Sequence, residues 1–156
     1  MNKNIKLVAT DIDGVWTDAK MHYTKDGDFM KSFSTYDGMG VEMLRNKNIE
    51  TIIMTSENSD IVLQRAKKLK IKEVYIDEKN KLERLKKICL NKKIELNEVA
   101  YIGDDINDIE VLENVGLSAL SNNSPIKQQI KVDYITEKKG GDGAFREFAE
   151  LILKEK

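Results

Sequence analysis

Six short apolar runs recur along the chain, and amphipathic segments separate them. A strand that is buried on both faces reads as a continuous apolar run, whereas a helix on a sheet surface repeats its apolar residues about every 3.6 positions. The runs predict strands over Ile5 to Asp11, Glu50 to Thr55, Glu73 to Ile76, Val99 to Gly103, Gly116 to Leu120 and Asp133 to Thr136. The amphipathic segments predict helices over Gly38 to Asn46, Asp60 to Leu69, Lys79 to Asn91, Ile106 to Asn114, Ser124 to Lys131 and Ala144 to Lys154.

This alternation of strands and helices predicts the fold class. Successive strand and helix units give a parallel sheet with helices on both faces, that is, an α/β fold of the Rossmann-like, three-layer αβα type. One segment departs from the rhythm: in Lys20 to Ser34, alternating apolar residues flank the turn sequence "KDGD", which is typical of a β-hairpin. We therefore expect one domain over residues 1–156, with a mainly parallel sheet, a protruding hairpin at about 20–34, a C-terminal tail at about 137–156 and no cap domain.

The charges of the chain nearly cancel, since 26 lysines and arginines accompany 27 aspartates and glutamates. A chain without excess basic charge is not expected to bind nucleic acid or an anionic membrane. No apolar stretch has the length of a membrane span, and the N-terminus lacks the pattern of a signal peptide, so a cytoplasmic location is expected. Cys89 is the only cysteine, which excludes an internal disulfide and a metal site of paired cysteines.

Polar side chains stand at the ends of three predicted strands. Asp11 and Asp13 follow the first strand, Thr55 and Ser56 end the second, and the sequence "GDDIND" at 103–108 ends the fourth. In open parallel sheets, ligands bind beyond the carboxyl ends of the strands. We therefore expect these side chains to line one crevice.

The residue types in this crevice favour phosphoryl transfer with magnesium. Asp11, Asp104 and the acids beside them would repel one another unless a cation neutralised them, and an oxygen-only ligand set suits magnesium. Asp11 would attack phosphorus to give an aspartyl phosphate, while Thr55 and Lys81 hold the phosphoryl oxygens. Asp13 would protonate the leaving alcohol and then deprotonate the attacking water.

Four short motifs give the chain a family resemblance. "DIDGVWTD", "MTSE", Lys81 and "GDDIND" fall in the order of the four motifs of the haloacid dehalogenase-like phosphatases, and the match runs over nearly the whole chain. "DGMG" and the tail "EKKGGDGAFREF" are similar to the small capless branch that acts on phosphorylated 2-keto-3-deoxy sugar acids. The resemblance implies that magnesium is held by Asp11, Asp104 and the backbone carbonyl of Asp13. It also implies that Asp105, Asn107 and Asp108 are supporting residues.

The resemblance also narrows the substrate. Phosphatases of octulosonate 8-phosphate follow the threonine of the second motif with Gly-Arg, whereas this chain has Ser56 and Glu57. Because Glu57 would repel a carboxylate, we expect 2-keto-3-deoxynononate 9-phosphate or N-acylneuraminate 9-phosphate as substrate, with 3-deoxy-D-manno-octulosonate 8-phosphate as the alternative. The expected substrate contacts are Ser56, Glu57, Arg65, Lys68 and Arg146. Arg65 and Lys68 share one helix face and would serve their own or a neighbouring subunit's site.

Two segments are expected to cover the site. In the branch that this chain resembles, the hairpin assembles a homotetramer in which a neighbour roofs each site, and the glycine-rich "GGDGAFRE" forms a mobile flap. The alternatives are a hairpin that folds back on its own sheet and a flexible lead into the last helix. Ile76 and Asp77 replace the Gln-Gly of many relatives, which leaves the reach of Lys81 open.

Two other classes of function remain at this point. A phospho-receiver domain also accepts a phosphoryl group on a strand-end aspartate, but it places the acceptor at the third strand and has no use for Asp13. A phosphatase-like module without turnover is the second class, and the presence of Asp13 argues against it.

Overall fold

The structure is a computed structural model in which residues 4–154 are described. The strands are β1 (Leu7–Thr10), β2 (His22–Thr24), β3 (Gly27–Met30), β4 (Glu50–Met54), β5 (Val74–Tyr75), β6 (Val99–Gly103), β7 (Leu117–Leu120) and β8 (Tyr134–Ile135). The helices are α1 (Thr35–Arg45), α2 (Asp60–Lys68), α3 (Lys81–Lys92), α4 (Ile109–Leu112) and α5 (Ala144–Lys154), with 3₁₀ turns at Leu96–Glu98 and Ile106–Asp108.

Six strands form one sheet in the order β5-β4-β1-β6-β7-β8, and each pairing in it is parallel. β1 lies inside the sheet, where Leu7 is in register with Glu50 of β4 and with Val99 of β6. The chain runs from β1 to one side through β4 and β5 and then crosses to the other side of β1 with β6. This change of direction opens a crevice at the carboxyl ends of β1, β4 and β6. The predicted parallel α/β fold is confirmed.

Helices cover both faces of the sheet. As a result, the side chains of β1 are buried on both faces. Val8 belongs to a core that includes residues of α1, α2 and α5, whereas Leu7 and Ala9 belong to a second core with residues of α3 and α4. Successive side chains of a strand point to opposite faces, so the alternation along β1 divides the two cores. The structure therefore has the three-layer αβα arrangement that the sequence predicts.

Two predicted helices take another form. Residues 124–131 form turns, because Ser124 Oγ is fixed on the carbonyl of Asp104 at 2.6 Å and Ile126 is buried in the core two residues later. The predicted helix at 106–114 is divided into a 3₁₀ turn and the short α4. Asp105 and Asp108 cap that turn reciprocally, so the chain starts a fresh helix after it.

The hairpin stands apart from the six-stranded sheet. β2 and β3 pair antiparallel around a turn at Lys25 and Asp26, with an irregularity between His22 and Tyr23. Apart from the hairpin, the connections between strands of the large sheet within residues 4–154 hold only helices and turns, so no cap domain covers the sheet there. Within residues 4–154, every helix is too short or too polar to span a membrane.

Candidate active site

Asp11 and Asp104 lie side by side at the carboxyl edge of the sheet. Asp11 follows β1 and Asp104 follows β6, and these two strands are hydrogen-bonded neighbours. Both residues are nearly buried, with exposed fractions of 4% and 7%. The N–H of Ile12 donates to Asp11 Oδ1 at 2.7 Å, while Asp11 Oδ2 lies 3.2 Å from Nζ of Lys81. One oxygen is thus fixed by the backbone and the other faces a cation.

Three carboxylates crowd this edge. Oxygens of Asp11, Asp104 and Asp108 all lie within 4.8 Å of one another. Burial, with the charges of Asp11 and Asp108, raises the pKa of Asp104 to about 8. Burial, with the charge of Asp108, raises the pKa of Asp11 to about 7. The ionised cluster is stabilised by added positive charge, and its oxygen-only composition fits magnesium, as the sequence predicts.

Asp108 already has its hydrogen-bond acceptors occupied. Its Oδ1 accepts from Lys81 Nζ at 2.8 Å and from the hydroxyl of Tyr101, and its Oδ2 accepts from the N–H groups of Asp104 and Asp105 at 2.9 and 3.3 Å. These bonds hold the loop after β6 in place. They leave Asp11 and Asp104 as the carboxylates that can turn to a metal ion, and the supporting role expected of Asp108 stays a prediction.

Lys81 is the first residue of α3, and its side chain reaches the site through the core. Nζ contacts Asp11 and Asp108, and only 1% of the side chain is exposed. Burial lowers the pKa of Lys81, but the charges of Asp11 and Asp108 outweigh it, so the pKa is raised overall. Lys81 is therefore a fixed cation beside the candidate nucleophile.

The loop after β4 forms one wall of a pocket of about 200 Å³. The lining residues are Asp11, Asp13, Ala19, Thr55, Ser56, Glu57, Asp104, Asp105 and Asn107. Thr55 Oγ1 accepts from the N–H of Glu57 at 3.4 Å, and Asn107 Nδ2 donates to Ser56 Oγ at 2.9 Å. The N–H of Glu78 donates to the carbonyl of Thr55 at 3.0 Å, which ties the lead into α3 to the same wall. That contact brings Lys81 to the site in spite of the unusual sequence before it.

Asp13 lines the pocket and is tied to the hairpin. Lys31 Nζ donates to Asp13 Oδ1 at 2.8 Å, and Thr17 Oγ1 lies 3.4 Å from the same oxygen. Asp13 Oδ2 is buried and has no hydrogen-bond partner within residues 4–154. Sequence reasoning missed Lys31, whose only signal is a charged residue inside the apolar pattern of "FMKSF".

Tyr101 is a second residue that sequence reasoning missed. It lies inside the buried strand β6, and its hydroxyl donates to Asp108 and accepts from Lys81 at 3.3 Å. Burial and the charge of Asp108 raise its pKa well above the ordinary value, so the hydroxyl stays protonated. The available signal was a single polar atom in an otherwise apolar strand.

The glycine-rich segment before α5 packs against the loop after β1. The N–H of Gly140 donates to Asn123 Oδ1 at 2.6 Å, and Asn123 Nδ2 donates to the carbonyl of Gly14 at 3.1 Å. A Cβ at position 140 would lie 2.1 Å from that carbonyl, so only glycine fits. These close backbone contacts hold the segment beside Gly14, and its expected role as a mobile flap over the pocket stays a prediction.

Three expected substrate contacts lie away from the pocket wall. Arg65 Nη2 donates to the carbonyl of Ser34 at 3.2 Å, and Lys68 is exposed on the same helix. Arg146 is held on α5, where its Nε donates to Glu150 Oε1 at 2.7 Å. Within one chain, these three side chains are therefore not part of the pocket that holds Ser56 and Glu57. It stays a prediction that Arg65 and Lys68 contact the substrate in a neighbouring subunit's site.

Known proteins share this fold and much of this sequence. Residues 44–148 match the family model of haloacid dehalogenase-like hydrolases. The 3-deoxy-D-manno-octulosonate 8-phosphate phosphatase of Haemophilus influenzae is 34% identical over 152 residues, which cover 97% of this chain and 84% of the relative. The crystal structure of the Moraxella catarrhalis phosphatase with magnesium, phosphate and KDO is 37% identical, with a TM-score of 0.94 over 99% of this chain and 89% of that chain. The cobalt-bound H. influenzae phosphatase has a TM-score of 0.93 at 34% identity, over 99% of this chain and 90% of that chain.

The paired carboxylates and buried lysine at the edge of a parallel sheet, together with these relatives, define a phosphoric monoester hydrolase. Neither a phospho-receiver domain nor a module without turnover has comparable support. The chain belongs to the haloacid dehalogenase-like hydrolase family.

Proposed function

We propose that this chain is a magnesium-dependent phosphatase that releases phosphate from 3-deoxy-D-manno-octulosonate 8-phosphate. The observation that carries the proposal is the buried contact of Lys81 Nζ with Asp11 Oδ2 at 3.2 Å, beside the carboxylate of Asp104. The substrate is supported by the two phosphatases described above, one of which was crystallised with magnesium, phosphate and KDO. The preference for nine carbons drawn from the sequence lacks such support and takes second place.

In the first step, a carboxylate oxygen of Asp11 attacks phosphorus, and the bond between phosphorus and the sugar oxygen breaks. Asp13 donates a proton to that oxygen as it leaves, so the sugar departs as a neutral alcohol. Lys81 and Thr55 hold the phosphoryl oxygens during the transfer. Magnesium held by Asp11, Asp104 and the carbonyl of Asp13 would neutralise charge on the phosphoryl group.

In the second step, water attacks the phosphorus of the aspartyl phosphate. Asp13 takes a proton from this water, and the bond between phosphorus and the Asp11 oxygen breaks. Phosphate leaves, and Asp11 returns to its carboxylate form. The proton that Asp13 lost in the first step is thereby restored, so the cycle balances.

A nine-carbon 9-phosphate is the second candidate, because Glu57 lines the pocket. An ionised glutamate accepts hydrogen bonds from hydroxyl or amide groups and repels a carboxylate. Arg65 and Lys68 of a neighbouring subunit would then meet the sugar carboxylate. This candidate thus needs the shared site of an oligomer.

A steady-state comparison of the two phosphates tests the choice, with kcat/KM as the measure. We expect octulosonate 8-phosphate to be favoured by at least about tenfold, a difference of about 1.4 kcal/mol in transition-state binding. A tenfold preference for the 9-phosphate would establish the second candidate instead. If neither sugar acid exceeds p-nitrophenyl phosphate, the substrate proposal fails while the phosphatase class stands.

Glu57→Arg tests how the pocket selects its substrate. If Glu57 accepts hydrogen bonds from a nine-carbon sugar, its loss should lower kcat/KM for the 9-phosphate by about 10- to 100-fold, since a charge-assisted bond contributes about 1.5–3 kcal/mol. The new guanidinium should improve the octulosonate 8-phosphate by pairing with its carboxylate. Glu83→Arg, at an exposed position on α3, is the matched control. Equal effects of Glu57→Arg on both sugars and on p-nitrophenyl phosphate would make Glu57 a structural residue.

We also propose that the hairpin assembles a homotetramer with shared sites. Tyr23 and Phe29 each have an exposed fraction of 65%, and Met30 next to Phe29 has one of 43%. Large apolar side chains grouped on one element favour burial against another protein surface. Sedimentation velocity of the intact protein at micromolar concentration tests this directly, and a monomer there would end the shared-site proposal.

A further inference from the structure

We propose that Lys31 is a positioning residue, which holds the carboxylate of Asp13 in the orientation that proton transfer requires. The inference rests on the acid and base role proposed for Asp13. It assigns a catalytic consequence to the hairpin inside a single chain, independent of any contact between subunits.

The surroundings of Lys31 differ from those of its hairpin neighbours. Phe29 and Met30 are exposed, whereas the side chain of Lys31 is 0% exposed. Its Nζ lies 2.8 Å from Asp13 Oδ1, 3.4 Å from Met21 Sδ and 4.0 Å from Asp28 Oδ2. A buried ammonium group is costly unless it is paired. Asp13 is the nearest partner, so this contact explains why the lysine turns inward.

The two oxygens of Asp13 have different surroundings. Oδ1 accepts from Lys31 and lies within hydrogen-bond distance of Thr17 Oγ1, whereas Oδ2 is buried without a partner in the described part of the chain. Asp13 lines the pocket, and Oδ2 is the oxygen that no donor in the described residues occupies, so we assign the proton transfers to it. The two donors on Oδ1 restrict rotation of the carboxylate. Its second oxygen therefore keeps one direction through both proton transfers.

Lys31 takes no direct part in the chemical steps of this cycle. Asp13 alone gives a proton to the leaving oxygen and takes one from water, and Lys31 acts only through the contact with Asp13 Oδ1. The two reacting aspartates then have separate lysines, because Lys81 contacts Asp11. Loss of Lys31 should therefore lower the rate of the chemical steps and leave phosphate binding at Asp11 nearly unchanged.

A double-mutant cycle of Lys31→Met and Asp13→Asn tests the inference. Activity is measured with magnesium on octulosonate 8-phosphate and, in parallel, on p-nitrophenyl phosphate. Lys31→Met alone should lower kcat by about 10- to 100-fold with KM changed by no more than a few-fold, because misplacing a catalytic group by about 1 Å costs up to about 100-fold. In the Asp13→Asn background, the same change should lower kcat by less than about twofold, since there is no proton transfer left to position.

Two further variants separate positioning from stability. Lys87→Met, at an exposed position on α3 outside the hairpin, is the control and should leave kcat unchanged. Lys31→Arg keeps the positive charge and should recover part of the lost kcat. If Lys31→Met fails to fold by circular dichroism, Lys31→Gln, which removes the charge, replaces it in both backgrounds of the cycle.

The outcomes distinguish this inference from the function beneath it. Equal losses of kcat from the Lys31 change in both backgrounds, or no loss in either, would overturn the positioning role. An Asp13→Asn variant with unchanged kcat would instead remove the proposed role of Asp13. Activity on p-nitrophenyl phosphate without activity on the sugar acid would end the substrate proposal alone, since the cycle can be completed on the simpler ester.

Discussion

Gly14→Ala tests the site geometry most directly, because this glycine leaves room for the carboxylate of Asp104. Gly14 has a φ of +85°, and an added Cβ would lie 1.8 Å from Asp104 Oδ2. A non-glycine residue in this left-handed region costs roughly 1–2 kcal/mol before any clash is counted. The substitution therefore strains the backbone and also displaces a candidate metal ligand.

The size of the effect follows from the required displacement. Real Cβ atoms essentially never approach a neighbour within 3.0 Å, so Gly14 and Asp104 must separate by about 1.2 Å. A shift of about 1 Å at a catalytic site costs up to about 100-fold in rate. We expect kcat/KM to fall by about 100-fold, half-maximal activity to need more magnesium, and the free energy of unfolding to fall by roughly 1–3 kcal/mol.

The assay is hydrolysis of p-nitrophenyl phosphate over a magnesium titration, with urea unfolding of the same samples. Gly143→Ala is the matched control, since Gly143 has a φ of +105° but no atom within 4 Å of an added Cβ. Gly143→Ala should show the backbone strain and retain activity. Equal activity losses in the two variants would refute the argument that Gly14 makes room for Asp104.

Three further predictions concern the nucleophile, the hairpin and a buried acid. Asp11→Asn should abolish turnover with the fold intact by circular dichroism, because an amide is neither a nucleophile nor a good magnesium ligand; residual activity in protein free of deamidation would contradict the assignment. Deleting Lys25 to Asp28 should loosen the tetramer in sedimentation and raise KM for sugar acids more than for p-nitrophenyl phosphate. Burial, opposed by the N–H of Arg146, raises the pKa of Asp37 from 3.8 to about 6, so its contribution to stability falls as pH rises between those values. Urea unfolding should therefore show a weaker fall from pH 4 to pH 6 in Asp37→Asn than in the native protein, by roughly 2–3 kcal/mol.

The fold was predictable because the strands of a doubly covered sheet have a simple pattern. β1 and β6 are buried along their whole length, so hydrophobicity alone marks them. The same reasoning failed for residues 124–131, because the amphipathic pattern covers only about two helical turns and the Ser124 hydroxyl is held by the carbonyl of Asp104. Tertiary contacts decided that segment, and its local pattern contains no sign of them.

The candidate site residues were predictable to the extent that they occupy strand ends. Asp11, Thr55 and Asp104 follow three strands whose order places them at one sheet edge, so topology alone brings them together. Three of the residues expected to contact the substrate lie on helices, so no strand end fixes where their side chains lie. Arg65 shares a helix face with Lys68, yet hydrogen bonding to Ser34 decides where its guanidinium lies, and helical periodicity does not report that contact.

Lys31 shows what separates the predictable part of the site from the rest. The sequence has 26 basic residues, and nothing in their spacing tells which ones are buried. Within residues 4–154, the buried lysines are Lys31 and Lys81, and each contacts one aspartate of the "DIDG" motif. Burying an ammonium group is tolerated only where a carboxylate receives it, so both lysines are located by the acids they neutralise. Motif order finds Lys81, whereas Lys31 is found only by knowing how the hairpin folds onto Asp13.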